Sequence, residues 1–137
     1  MRNTVLVSAF ILFLATGANG EEIDYSKISE AKSSRINDII VRYVRLYGEP
    51  CISIQTVNPG GGWKVISTKN ICSVDGKSFW TDFADAGFED VSFSKKGVHL
   101  TLSTTPLEPI GEQKMECFVP IKDGSINAMT CEDIAKP

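Results

Sequence analysis

Histidine is almost absent from the chain: His99 stands alone among 137 residues. A single imidazole excludes His-rich metal sites and leaves any histidine-dependent triad resting on one position. In Val98-His99-Leu100-Thr101-Leu102-Ser103 the alternation puts that histidine with the polar residues, on the wetter face of a strand. Close-spaced cysteine pairs of the C-x-x-C type are missing, and with them the ligand spacing of structural zinc. No serine sits in a G-x-S-x-G elbow. The one glycine run, Gly60-Gly61-Gly62, is followed by no helix pattern and so does not resemble a phosphate loop. Neither a metal nor a cofactor is expected.

Strong positive charge is lacking too. Fourteen Lys and Arg stand against seventeen Asp and Glu, which argues against nucleic acid as a partner, because phosphate binding needs a basic surface. The longest apolar run, Val5 to Ala15, falls short of the ~20 residues that a spanning helix requires. No stable membrane insertion is expected.

That run has a different meaning. Arg2, the apolar stretch, the small residues Gly17-Ala18-Asn19-Gly20 and then Glu21-Glu22 make a signal peptide over residues 1–20. Cleavage after Gly20 leaves residues 21–137 as a single domain with one core and puts the protein in the periplasm or outside the cell. Losing Arg2 takes the net charge from −3 to −4. That balance suits a basic protein partner and equally suits a merely soluble surface. With 42% hydrophobic and 23% charged residues, the composition is that of an ordinary globular fold.

Four cysteines remain: Cys51, Cys72, Cys117 and Cys131. An even count in an exported domain implies two disulfides. Cys51 to Val57 and Trp63 to Cys72 are β-rich runs flanking the turn Asn58-Pro59-Gly60-Gly61-Gly62, whose centre is midway between the two cysteines. Cys117 and Cys131 are likewise centred on Gly124, within the turn Lys122-Asp123-Gly124-Ser125. Residues opposed across an antiparallel pair lie within disulfide reach, so the expected pairing is 51–72 and 117–131. Cys117 shares its face with Met115, Val119 and Ile121 and should be buried. Cys51 shares its face with Ser53, Gln55, Thr68 and Asn70, so its bridge should lie nearer water and reduce first.

From Ser26 to Tyr47 the residues Ile36, Ile39, Ile40, Tyr43, Val44 and Tyr47 recur at helical spacing, with Gly48 as a stop and Pro50 beyond it. The β-branched residues in it lower helix propensity, so such a helix would be held by packing. Later runs, Phe88 to Phe93 and Val98 to Thr104, flank the short loop Ser94-Lys95-Lys96-Gly97. Pro106 and Pro109 end a strand, and Pro120 requires an edge or a bulge. The expected architecture is α+β: an N-terminal amphipathic helix packed on an antiparallel sheet of about five to six strands.

The most unusual segment is Phe79 to Asp90, expected as a helical turn or loop ended by Gly87 and then a strand. It holds Asp82, Asp85, Glu89 and Asp90 among aromatics. Its acids are spaced neither for a calcium loop nor for a defined glycosidase pair. The plainest reading buries Trp80 and Phe83 and leaves the acids in water. The functional reading makes the segment an acidic, aromatic docking patch, with Trp63 beside the glycine run as a second anchor. The favoured function is a non-enzymatic exported binding protein, of the inhibitor or immunity type, acting on a protein such as a cell-wall hydrolase. That placement rests on size, compartment and absent chemistry rather than on a motif. The alternative is a small carboxylate-dependent glycan hydrolase or a carbohydrate-binding protein.

Overall fold

The computed structural model describes residues 23–134; the signal peptide expected at 1–20 lies outside them. Strands make up 66% of the described residues. Among these residues the only helical pieces are two three-residue 3-10 turns, Tyr25–Lys27 and Pro59–Gly61.

The expected N-terminal helix does not form, and the α+β reading fails with it. Its span is a hairpin of two strands, β1 (Ile28–Ile36) and β2 (Ile39–Leu46), with Ile36 opposite Ile39. The helical spacing was produced by the turn. Asn37 adopts φ 54° between the strands, a conformation that Asn tolerates better than most residues. On β2, Val41 and Tyr43 alternate inward while Val44 is buried on the other face, which erased the clean two-residue period. The many β-branched residues fit a pleated surface better than a helix.

The next hairpin forms as its turn residues dictate. β3 (Ile52–Asn58) and β4 (Lys64–Ile71) flank the Pro59–Gly61 turn, and the Asn58 side chain accepts the Gly60 N–H at 3.0 Å. A short ribbon, β5 (Ser73–Val74) with β6 (Lys77–Ser78), leads on to β7 (Phe83–Ser94). β8 (Gly97–Pro106), β9 (Gln113–Lys122), β10 (Ser125–Ile126) and β11 (Thr130–Asp133) complete the chain.

Two antiparallel sheets result. One has the order β1-β2-β3-β4; the other has the order β10-β9-β8-β7, with β11 also pairing β9. β1 lies beside β7 along one side and β10 beside β4 along the other. One apolar cluster joins the inner faces, taking Val41, Tyr43, Ile52 and Ile54 from the first sheet and Phe88, Leu100, Leu102 and Val119 from the second. This is a two-layer β-sandwich.

Where β4 ends and β7 begins, the chain must pass from one edge of the molecule to the other. Residues 72–82 make that passage across one end, and Val74 and Phe79 turn inward to plug it. Phe79 meets Phe88 edge-on at 5.6 Å and Phe83 at 6.3 Å, separations that favour aromatic pairs. The helical turn expected before Gly87 is absent, since Ala84 to Gly87 already belong to β7.

Two irregularities keep apolar side chains inside. In β7 the register shifts between Glu89 and Ser92, where Asp90 takes φ 47°. Ala86 and Phe88 point inward before this bulge, and Val91 does so after it. Without the extra residue the second half of the strand would present its apolar side to water. Pro120 has no N–H to donate, and the strand opposite breaks there. β10 ends at Ile126 and β11 starts at Thr130, leaving Asn127 N–H to bond the Pro120 carbonyl at 2.9 Å. The expectation of an edge or bulge at Pro120 holds.

Both expected disulfides are present. Cys117 and Cys131 are paired directly across β9 and β11, with Cα atoms 4.1 Å apart, and Cys51–Cys72 spans 4.5 Å just beyond the Ile52–Ile71 pair. No described cysteine is free. Such bridges belong to an oxidising environment.

Candidate functional site

The passage between the sheets also builds the most distinctive surface feature. Asp82 N–H bonds the Ser78 carbonyl at 3.0 Å, and the Asp82 carboxylate accepts the Ser78 N–H at 2.7 Å. This mutual clamp closes a tight turn. Inside it, Phe79 N–H bonds the Cys72 carbonyl and its ring goes into the core. Trp80 is left at the apex, with its N–H on Ser78 Oγ and 56% of its surface exposed. The expected burial of Trp80 is thus corrected, while Phe83 is half-buried against the core. Packing decided this, since one turn cannot send two adjacent ring systems to the same side.

Trp80 stands between two grooves. One, of about 500 Å³, runs between the β2–β3 loop (Leu46 to Pro50) and the start of β7, with Arg45, Phe83 and Asp85 along it. The other, of about 570 Å³, is lined by Ile23, Asp24, Lys27, Val44, Glu49 and the Cys51–Cys72 bridge. Tyr47, 73% exposed, flanks the first groove. The loop after β8 lies at the same end, because Pro106 pairs with Phe83, and it exposes Leu107 and Ile110. Asp24, Glu49, Asp82 and Asp85 give the end acidic character. Of its cations, Lys27 lies 3.8 Å from Asp24 and Arg45 lies 3.4 Å from Glu30 while also bonding the Phe88 carbonyl, and Lys77 is exposed on the crossing segment.

The acids of the 79–90 segment do not converge. Asp82 serves its turn. Asp85 lines the groove beside Trp80. Glu89 and Asp90 lie at the bulge, where Glu89 pairs with Lys114 at 3.2 Å. This ion pair, together with the nearby Glu112 and Asp90, raises the Lys114 pKa. The other anchor, Trp63, is at the opposite end of the molecule: it follows Asn58, and β3 alone separates the ends by about 20 Å. Of the six expected binding residues, Trp80, Asp82 and Asp85 share one region, Glu89 and Asp90 share the bulge, and Trp63 stands apart.

Sequence reasoning missed Leu46, Tyr47, Glu49 and Pro50. The helical spacing of Ser26 to Tyr47 runs into this stretch, although Tyr-Gly-Glu-Pro between two β-branched runs is itself a loop signal. His99 is exposed, as expected, and packs on Phe118 with its Nε2 at 2.9 Å from Ser94 Oγ. Among the described residues, no group of three or more His, Cys, Asp or Glu side chains is arranged to hold a metal ion, and no helix is long and apolar enough to cross a membrane. Compared with known proteins, the chain matches no family model, no curated protein and no solved structure.

Proposed function

We propose that this is an exported, non-enzymatic binding protein of the cell envelope, periplasmic or secreted, which holds or blocks a basic protein partner. It is of the inhibitor or immunity type, with a cell-wall hydrolase as the expected target. The observation that carries the reading is Trp80: an exposed indole on a clamped turn, set between two grooves with Glu49 and Asp85 on their walls. A rigidly presented Trp beside a recess is the kind of side chain that dominates binding energy. Acidic groups around it accelerate association with a basic surface. The turn is held by the fold itself, so little ordering cost falls on binding.

The test is capture from envelope extract on the oxidised protein, followed by titration of the purified partner. A single basic protein should bind one to one, and Trp80→Ala should weaken it about thirtyfold, the effect of losing a ~2 kcal/mol anchor. An Asp85→Lys variant should slow association more than it speeds dissociation. Binding indifferent to both variants would remove this end of the molecule from the interface. Glycan turnover by the parent protein that Asp85→Asn abolishes, with the fold intact, would replace the reading with the carboxylate hydrolase.

A further inference from the structure

The end opposite Trp80 carries its own feature. The chain leaves the 59–61 turn through Gly62 at φ 76° and then places Trp63 at φ 63°. Glycine takes that conformation freely, whereas a bulky side chain is rarely found there. Burial does not compensate, because Trp63 is 63% exposed. Val65 and Ile66 beside it are 44% and 47% exposed. Ile66 is the extra residue of a bulge, since Val65 pairs with Val57 and Ser67 with Thr56. Three large, partly exposed apolar side chains thus lie within four residues of one another, with Lys64 among them.

Cations surround this knob. Gly97 pairs with Pro120, and the Ile121 N–H bonds the Lys96 carbonyl, which puts the Lys95-Lys96 turn beside Lys122. Ile66 packs against Gly124, so those lysines and Lys64 share one end, and Arg35 joins them next to the Asn37–Asp38 turn. The acids there are Asp38 and Asp123. A chain of net charge −3 therefore has one end where cations outnumber acids by five to two.

We propose that this end adsorbs to an anionic lipid surface, with the Trp63 indole entering the headgroup boundary and the lysines facing lipid phosphates. A projecting Trp with β-branched neighbours, ringed by Lys and Arg, matches that boundary in both polarity and charge. It is a knob rather than a recess, so it suits a deformable surface. The adsorbed protein turns its Trp80 end to the aqueous side. The proposal concerns peripheral contact and stands or falls independently of the partner at the Trp80 end.

The test uses the full, oxidised protein and vesicles of phosphatidylglycerol mixed with phosphatidylcholine, against phosphatidylcholine alone. In a Trp80→Phe variant, Trp63 is the sole indole and its emission should shift to the blue only with the anionic vesicles. Salt at about 0.5 M should release the protein. Lys95→Gln with Lys96→Gln should lower vesicle affinity about 25-fold, at about fivefold per lysine. Trp63→Ala should lower it about tenfold without lowering the unfolding temperature, since the substitution removes an exposed ring. Absence of binding to anionic vesicles at low salt would overturn the proposal. So would equal binding to neutral vesicles, an unshifted emission, or variants that bind as the parent does.

Discussion

The Thr56 hydroxyl donates to the Gly124 carbonyl at 2.6 Å, linking residues 68 positions apart. Thr56 is fully buried, so the bond ties β3 of one sheet to the β9–β10 turn of the other inside the core. Thr56→Val keeps the shape and leaves the carbonyl without this donor. The expected loss is about 1–2 kcal/mol in urea unfolding, and Thr56→Ser should recover part of it. A valine variant as stable as the parent would show that the sheets are held by apolar packing alone.

Gly97 opens β8 opposite Pro120 of β9. A Cβ there would run into the Val119 carbonyl oxygen, and Gly97 has φ 155°. Backbone cannot yield as a side-chain tip does. Gly97→Ala should therefore destabilise by more than about 3 kcal/mol, beyond the ordinary range for single substitutions, or prevent folding. Gly48→Ala serves as the control, since nothing lies within 4 Å of its added methyl, and it should cost about 1 kcal/mol through its φ of 73° alone.

Tyr43 is fully buried, and among the described residues its hydroxyl finds no hydrogen-bond partner. Burial, with Glu30 nearby, pushes its pKa up to about 12. Below the ordinary tyrosine value of about 10 both folded and unfolded chains keep the proton, and Tyr43 makes no pH-dependent contribution. Between about 10 and 12 only the unfolded chain releases it, so stability falls as pH rises, by roughly 2–3 kcal/mol over that window. Tyr43→Phe should remove that slope and leave neutral-pH stability unchanged or raised by about 1 kcal/mol, because no bond is lost and an unpaired polar atom is gone. Urea titrations at pH 7 and pH 11 check both effects.

The two bridges close loops of 14 and 21 residues' separation, and loss of either should cost about 3 kcal/mol. Burial does not rank them, since Cys51 and Cys117 are 7% and 3% exposed and each pairs with a half-buried partner. Access does. Both Cys51 and Cys72 line the groove beside Trp80, and Cys72 also lines the groove beside β11 that Cys131 borders, whereas Cys117 is 3% exposed. Limited thiol treatment with mass mapping should open 51–72 first. Simultaneous reduction of both would mean that unfolding, not access, controls the reaction.

Local chemistry was legible along the chain. Turn residues and the spacing of cysteines gave both clamped hairpins, the Ser94–Gly97 turn and the break forced by Pro120, because each depends on a few neighbouring residues. Ile36 to Tyr47 was misleading for an equally local reason: a hairpin turn at Asn37–Asp38 and burial on both faces of β2 mimic helical spacing. The strongest clue against the helix, its β-branched content, was outweighed by that spacing.

What residue order alone determined is the β3–β4, β7–β8 and β9–β10 hairpins and the two disulfides, since antiparallel neighbours joined by tight turns need no information from elsewhere. What the tertiary structure decided is where those hairpins meet. Only when residues 72–82 cross the open end of the sandwich does Phe79 become the plug and Trp80 the exposed neighbour. Only the facing of two sheets puts Tyr47 and Asp85 along one groove. Contacts between residues so distant in sequence follow from burying two apolar faces against each other, and no short stretch of chain encodes that choice.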